Sequence, residues 1–212
     1  MKTVIFDLDG TISDSSEGIF QSFNYALDKM NIATISRTEV NRYIGPPLND
    51  SFRSLLGTDD DDMVDEAVRF FRNDYTTVGY KINQLYAGID DALLELNNSG
   101  YRLLIATSKK TETARDVLSY FQMDHYFQGI YGGASEIPKP ELVQHILAEH
   151  KCSKDISVLV GDTHFDIHAA KMNNISSIGV TWGFGEIVDI SMADVMINSP
   201  GELLQHIKKL IG

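Results

Sequence analysis

Asp7 and Asp9 stand two residues apart at the end of a short apolar run, Thr3-Val4-Ile5-Phe6, with Gly10 and Thr11 directly after them. Side chains at i and i+2 share one face of an extended segment, so both carboxylates point into the same space where the strand stops. Unpaired charge is seldom buried, so an apolar run ended by paired acids suggests chemistry, although a solvated turn has the same composition. Three further polar groups follow downstream: Ile105-Ala106-Thr107-Ser108-Lys109, Pro138-Lys139-Pro140, and Val160-Gly161-Asp162-Thr163-His164-Phe165-Asp166.

Four compact apolar runs, at 4–6, 103–106, 158–160 and 177–180, predict buried strands. Helix-length segments at 111–121, 141–150 and 164–173 separate the later runs, with weaker strands at 129–131 and 195–197 and a helical tail at 200–211. This alternation predicts an α/β fold with a parallel sheet and helices on both faces. Ligands of open parallel sheets sit beyond the carboxyl ends of the strands, where Asp7, Thr107 and Asp162 fall.

The interval between the first strand and the next clear one far exceeds a normal crossover. Within it, Ile19, Phe20, Phe23, Ala26, Leu27 and Met30 keep helical spacing, as do Met63, Val64, Ala67, Val68 and Phe71. A helical insert is expected at 15–81, leaving a core of 1–14 and 82–212. The acidic run at 59–62 is expected to cap the second of these helices, where the macrodipole favours negative charge. It lacks the glycine and closing glutamate of a calcium loop.

If Asp7, Asp9, Asp162 and Asp166 converge, neighbouring carboxylates about 4 Å apart repel by roughly 4 kcal/mol at an effective dielectric near 20. That equals about three pKa units, enough to keep some of them protonated near neutral pH. A divalent cation relieves the repulsion, and oxygen donors without thiolates or paired imidazoles favour magnesium over zinc. Lys139 adds a fixed positive charge, and the same cations attract a phosphate dianion that the bare acids repel.

Together the four segments resemble the ordered motifs of the haloacid dehalogenase superfamily, and specifically its phosphoglycolate phosphatase-like members with an α-helical cap inserted after the first strand. The resemblance spans essentially the whole chain. It implies a Rossmann-like core and a magnesium-dependent phosphatase acting on a small phosphomonoester. Asp7 matches the nucleophile that forms an aspartyl-phosphate, and Asp9 matches the acid/base. Asp7, the backbone carbonyl of Asp9 and Asp162 match the magnesium ligands, and Asp166 an outer residue orienting a metal water or Lys139. Thr107, Lys139 and the backbone N–H groups of Leu8 and Ser108 match the phosphoryl-binding groups. The resemblance also implies that Gly45 and Pro46, in Tyr43-Ile44-Gly45-Pro46-Pro47-Leu48, belong to a substrate-facing cap loop; their plainer reading is a helix–helix turn. Gly179-Val180-Thr181-Trp182-Gly183-Phe184-Gly185 is similar to the family loop after the fifth strand, with Trp182 either at the entrance or packed.

Many relatives carry histidine or asparagine immediately before the last aspartate of the fourth motif, whereas this chain has Phe165 there and His164 one step earlier. His164 is expected to open a helix at the surface. Arg37, Arg42, Arg53, Arg69 and Arg72 lie in the insert, and none is assigned to substrate. The alternatives are a 5'-nucleotidase acting on nucleoside monophosphates, a sugar phosphomutase, or a non-catalytic interaction module.

The net charge of −12, from 18 basic and 30 acidic residues, argues against a nucleic-acid polymer as partner. Cys152 is the single cysteine, so neither an internal disulfide nor a cysteine cluster is available, which fits a reducing compartment. The apolar stretch before Asp7 is too short for a signal-peptide core, and no run reaches membrane-spanning length. A cytoplasmic protein is expected, monomeric or homodimeric, without membrane contact.

Overall fold

β1 (Thr3–Phe6) is the strand around which the molecule is organised. In the computed structural model, which describes residues 1–133 and 137–212, the elements of the first half follow as β2 (Ser13–Asp14), α1 (Ser16–Lys29), α2 (Leu48–Leu56), α3 (Asp61–Tyr75), β3 (Gln84–Leu85) and α4 (Ile89–Asn98). The second half alternates: β4 (Arg102–Thr107), α5 (Thr111–Tyr120), β5 (Gly129–Gly132), α6 (Lys139–Glu149), β6 (Ser157–Gly161), α7 (His164–Asn173), β7 (Ser176–Val180), α8 (Ile187–Ile190), β8 (Val195–Ile197) and α9 (Leu203–Ile211).

Six strands form one sheet in the order β5-β4-β1-β6-β7-β8, parallel throughout. Phe6 pairs with Ile105 on one side and Val160 on the other, so β1, β4 and β6 end close to one level, β4 and β6 running slightly further. The Asp7 N–H continues the ladder, donating to the Val160 carbonyl at 2.9 Å. Asp7, Thr107 and Asp162 therefore emerge side by side at one edge, from strands far apart in the chain.

Strand periodicity sorts the core into two layers. Val4, Phe6, Leu103, Ile105, Val158 and Val160 face α4, α5 and α9, while Ile5, Leu104, Ala106 and Leu159 face α6 and α7. Ile5 is fully buried. Truncating such a residue to alanine costs about 2–5 kcal/mol.

Residues 19–75 supply a third, separate apolar cluster. Phe52 of α2 packs edge-on against Phe71 of α3 at 6.1 Å and tilts against Phe23 of α1 at 4.9 Å. Asp60 caps α3 by accepting from the Asp62 and Met63 N–H groups, as the acidic run predicts. β2 and β3 pair antiparallel, so the two chain segments joining this helical layer to the sheet run side by side.

α2 and α4 lie outside the helices expected from the sequence. Both carry legible signals: Ile89, Ala92, Leu93 and Leu96 are buried at helical spacing, and Gly57 closes α2 in a left-handed conformation. The turn at 43–47 and the length of the insert obscured α2. Among the described residues, no helix is long and apolar enough to cross a membrane.

Candidate active site

β1 ends in a tight reversal in which the Leu8 carbonyl accepts from the N–H groups of Ile12 and Ser13, at 3.0 and 3.1 Å. The side chain of Leu8 is fully buried, anchoring the turn between the two acids. Asp7 lies 4% exposed beneath it.

Lys139, the first residue of α6, sends its ammonium between two carboxylates: Nζ is 2.7 Å from Asp7 Oδ1 and 2.5 Å from Asp166 Oδ1. The other Asp166 oxygen accepts from the Thr163 backbone N–H at 3.1 Å and from its hydroxyl at 2.7 Å, capping α7. Asp162, fully buried, accepts from the Thr11 hydroxyl at 3.1 Å and from the Phe184 N–H at 2.8 Å. Asp7, Asp162 and Asp166 each present an oxygen within 4.8 Å of the others.

Three buried carboxylates thus face one ammonium. Burial pushes Asp7 well above the usual carboxylate range, and Asp166 and Asp162 push it further, against the opposing pull of Lys139. Asp162 is raised to about 7, first by burial and then by Asp166. Burial by itself would lower the Lys139 pKa, but Asp166 and Asp7 override it and hold the ammonium charged. Such a cluster is short of positive charge, and its donors are oxygens of the kind hard cations take. Asp7 is engaged through only one of its oxygens, by Lys139, whereas both oxygens of Asp162 and both of Asp166 already have partners, so an ion here would share the Asp162 carboxylate with Thr11 and Phe184.

The Asp9 carboxylate turns away from this cluster. Its Oδ2 lies 2.9 Å from Lys109 Nζ, while its buried Oδ1 has no hydrogen-bond partner among the described residues. Lys109 in turn sits 4.2 Å from the centre of the Tyr75 ring, so α3 of the helical layer closes over the pair. In the sequence Lys109 closes the segment Ile105-Ala106-Thr107-Ser108-Lys109, and no role was assigned to it. Its place beside an acid could be inferred only once β1 and β4 are known to be neighbours.

Thr107 is buried, and its hydroxyl accepts from the Lys109 N–H at 3.2 Å. Thr107 and Ser108 line a cavity of about 310 Å³ whose floor includes Asp7 and Asp9. Gly45 and Pro46 line the same cavity from the opposite side. A β-carbon on Gly45 would lie 3.1 Å from Thr163 Cγ2, so this loop rests directly on the segment that carries Asp162. Of the five insert arginines, Arg72 alone lines the cavity. Arg37, Arg53 and Arg69 pair with Glu17, Asp61 and Glu66.

Trp182 packs against the core and donates from Nε1 to the Thr11 carbonyl at 3.1 Å, with Tyr86 edge-on at 6.4 Å. His164 is exposed at the start of α7. Cys152, half-buried, is a free thiol.

A family model described as haloacid dehalogenase-like hydrolase matches residues 4–180. Among curated proteins, the chain is 32% identical to the tyrosine-protein kinase PtkA of Mycobacterium tuberculosis over 99% of its own length and 72% of that protein. It is 34% identical to a 5'-nucleotidase of Pseudomonas aeruginosa, covering 86% of this chain and 83% of that one. A phosphoglycolate phosphatase of Vibrio cholerae shares 28% identity over 97% of this chain and 96% of the other. Among solved structures, a predicted phosphatase from Clostridium acetobutylicum superposes with a TM-score of 0.92 at 33% identity, covering 99% of each chain.

Proposed function

Because the chain belongs to the haloacid dehalogenase-like hydrolase family and is a phosphatase of that superfamily, we propose that it hydrolyses a small phosphomonoester with magnesium through an aspartyl-phosphate on Asp7, in the manner of phosphoglycolate phosphatases. The observation that carries this reading is the meeting of Asp7, Asp162, Asp166 and Lys139 at the carboxyl ends of β1 and β6.

In the first step an Asp7 oxygen attacks phosphorus, and the bond from phosphorus to the leaving oxygen breaks. Asp9 gives its proton to that oxygen, and the alcohol departs. In the second step Asp9 takes a proton from a water that attacks the same phosphorus, releasing inorganic phosphate and restoring Asp7. Lys139 holds the Asp7 carboxylate in place and offsets charge on the phosphoryl oxygens, while Asp166 fixes the ammonium. The Thr107 hydroxyl and the N–H groups of Leu8 and Ser108 orient those oxygens. Lys109 positions Asp9.

Asp7, the Asp9 backbone carbonyl and Asp162 would hold magnesium, which when bound neutralises charge on the transferring group. The buried, oxygen-only donor set and its shortage of positive charge fit that ion. Residues 15–81 act as a cap that admits substrate and excludes competing water, hinged where β2 and β3 pair. The core is then 1–14 and 82–212.

The test is hydrolysis of p-nitrophenyl phosphate with magnesium and with chelator, combined with mass spectrometry of the acid-quenched protein. Magnesium-dependent turnover and a phosphoryl adduct on Asp7, both lost in Asp7→Asn, are expected. Full activity in Asp7→Asn would falsify the assigned nucleophile.

A further inference from the structure

The cavity above Asp7 and Asp9 has two unlike walls. The sheet side is polar, with Thr107, Ser108 and Lys109, whereas the helical layer contributes mostly apolar side chains, Ile19, Ile44, Leu48 and Phe71 with Tyr43 and Tyr75, beside the polar Arg72 and Thr76. The aromatic members form a connected series. Tyr75 stacks on Phe71 with centroids 5.6 Å apart and planes 7° from parallel, Phe71 meets Phe23 at 4.9 Å, and Phe23 meets Tyr43 at 5.7 Å. The inner end of the series is Tyr75, against the ammonium of Lys109 that pairs with Asp9. The outer end is Tyr43, half-buried beside Gly45.

Resting on the phosphatase reading above, we infer that the substrate is a phosphomonoester whose leaving group carries an aromatic ring. A phosphate seated at Asp7 directs its leaving oxygen toward Asp9, and everything attached to that oxygen then faces the apolar wall. Aromatic side chains favour a flat, apolar partner in stacked or edge-on contact. A polyhydroxylated leaving group would instead give up hydrogen bonds to water wherever it meets the apolar members of this wall, which cannot replace them. The hydroxyl of Tyr75 already accepts from Asn83 at 2.9 Å. Size agrees, since pockets for drug-sized ligands begin at about 300 Å³ and this one measures about 310 Å³, more than a two-carbon acid fills. A nucleoside monophosphate and a simple aryl-bearing phosphate share this chemistry.

Two matched pairs test the inference, each pair having the same kind of leaving oxygen with and without the ring: AMP against ribose 5-phosphate, and benzyl phosphate against ethyl phosphate. With magnesium, kcat/KM should favour the ring-bearing member by about tenfold or more, the scale on which pockets discriminate apolar groups. A preference in the first pair alone identifies a nucleoside source, and one in the second alone an aryl source. Tyr43→Leu, which keeps an apolar side chain and removes the ring, should shrink the ratio within the preferred pair. Turnover of all four at equal kcat/KM overturns the inference and leaves the phosphatase reading standing. Should none be turned over, hydrolysis of p-nitrophenyl phosphate decides the phosphatase reading separately, and calorimetric titration into the Asp7→Asn protein decides the inference. Tighter binding of the ring-bearing members supports it, and equal or absent binding overturns it.

Discussion

Gly10 and Asp162 approach so closely that a β-carbon built on the glycine would fall 2.2 Å from Asp162 Oδ2. Gly10 also holds φ at +85°, where a side chain is strained. From the other side, a β-carbon on Gly183 would fall 2.3 Å from Asp162 Cβ. The buried carboxylate thus sits in a slot that two glycines leave open.

Gly10→Ala should therefore fail through Asp162. We expect a backbone cost of about 1–2 kcal/mol from the left-handed conformation, with displacement of the carboxylate added to it. A thermal melt with and without magnesium checks this. The variant should melt lower and lose most of the magnesium-induced shift, whereas an unchanged shift would show that Asp162 does not hold the ion.

Lys139→Met should leave Asp7 and Asp166 buried without their shared cation. Removing one partner of a buried ion pair costs about 3–5 kcal/mol, so the midpoint in urea should drop accordingly. Turnover of any substrate should fall by about 10²–10³-fold or more, by analogy with loss of one charge-stabilising donor. Lys139→Arg should not restore the rate, because a planar fork cannot place one nitrogen 2.7 Å from Asp7 and 2.5 Å from Asp166 as the compact ammonium does. An active arginine variant would argue that bulk charge is all the site needs.

The raised carboxylates predict how stability depends on pH. For Asp162 the folded pKa of about 7 lies above the ordinary 3.8, so between these values the folded protein binds more protons than the unfolded chain. Its contribution is complete below about pH 4 and is lost as pH rises through 7; Asp7 acts in the same direction. Metal-free protein should consequently lose stability from pH 5 to pH 8 as far as these groups decide it. Magnesium competes with protons for the same oxygens, so its stabilising shift should be larger at pH 8. Calorimetric melts at both pH values, with and without the ion, measure the difference, and a larger shift at pH 5 would contradict the site as described.

Lys109→Met should disorder Asp9 without touching Asp7. A nitrophenolate leaves with little help from a proton donor, while an alkoxide depends on one. The variant should lose more kcat on an alkyl phosphate than on p-nitrophenyl phosphate, and Asp9→Asn should show the same imbalance in stronger form. Equal losses on both substrates would assign Lys109 a purely structural place beneath Tyr75.

The strands β1, β4 and β6 were legible because each is a short apolar run that ends near a polar residue, but their order in the sheet was not. Asp162 could be picked out for the same reason, whereas Lys139 and Asp166 stood out only through the resemblance of the ordered segments to the family motifs. α2 was harder to see, because nothing local says where an insert of that length turns.

Sequence alone determined the α/β alternation, the helical insert and the acids available for chemistry, since these follow from local periodicity and residue type. Tertiary structure decided the partners. Lys109 with Asp9, Gly10 against Asp162, and Tyr75 over both Lys109 and the cavity all join residues whose separation along the chain says nothing of their distance in space. Sheet order and the docking of the helical layer set those contacts. Charge pairing, desolvation and cavity shape depend on such through-space distances, so they arise only when the chain has closed on itself.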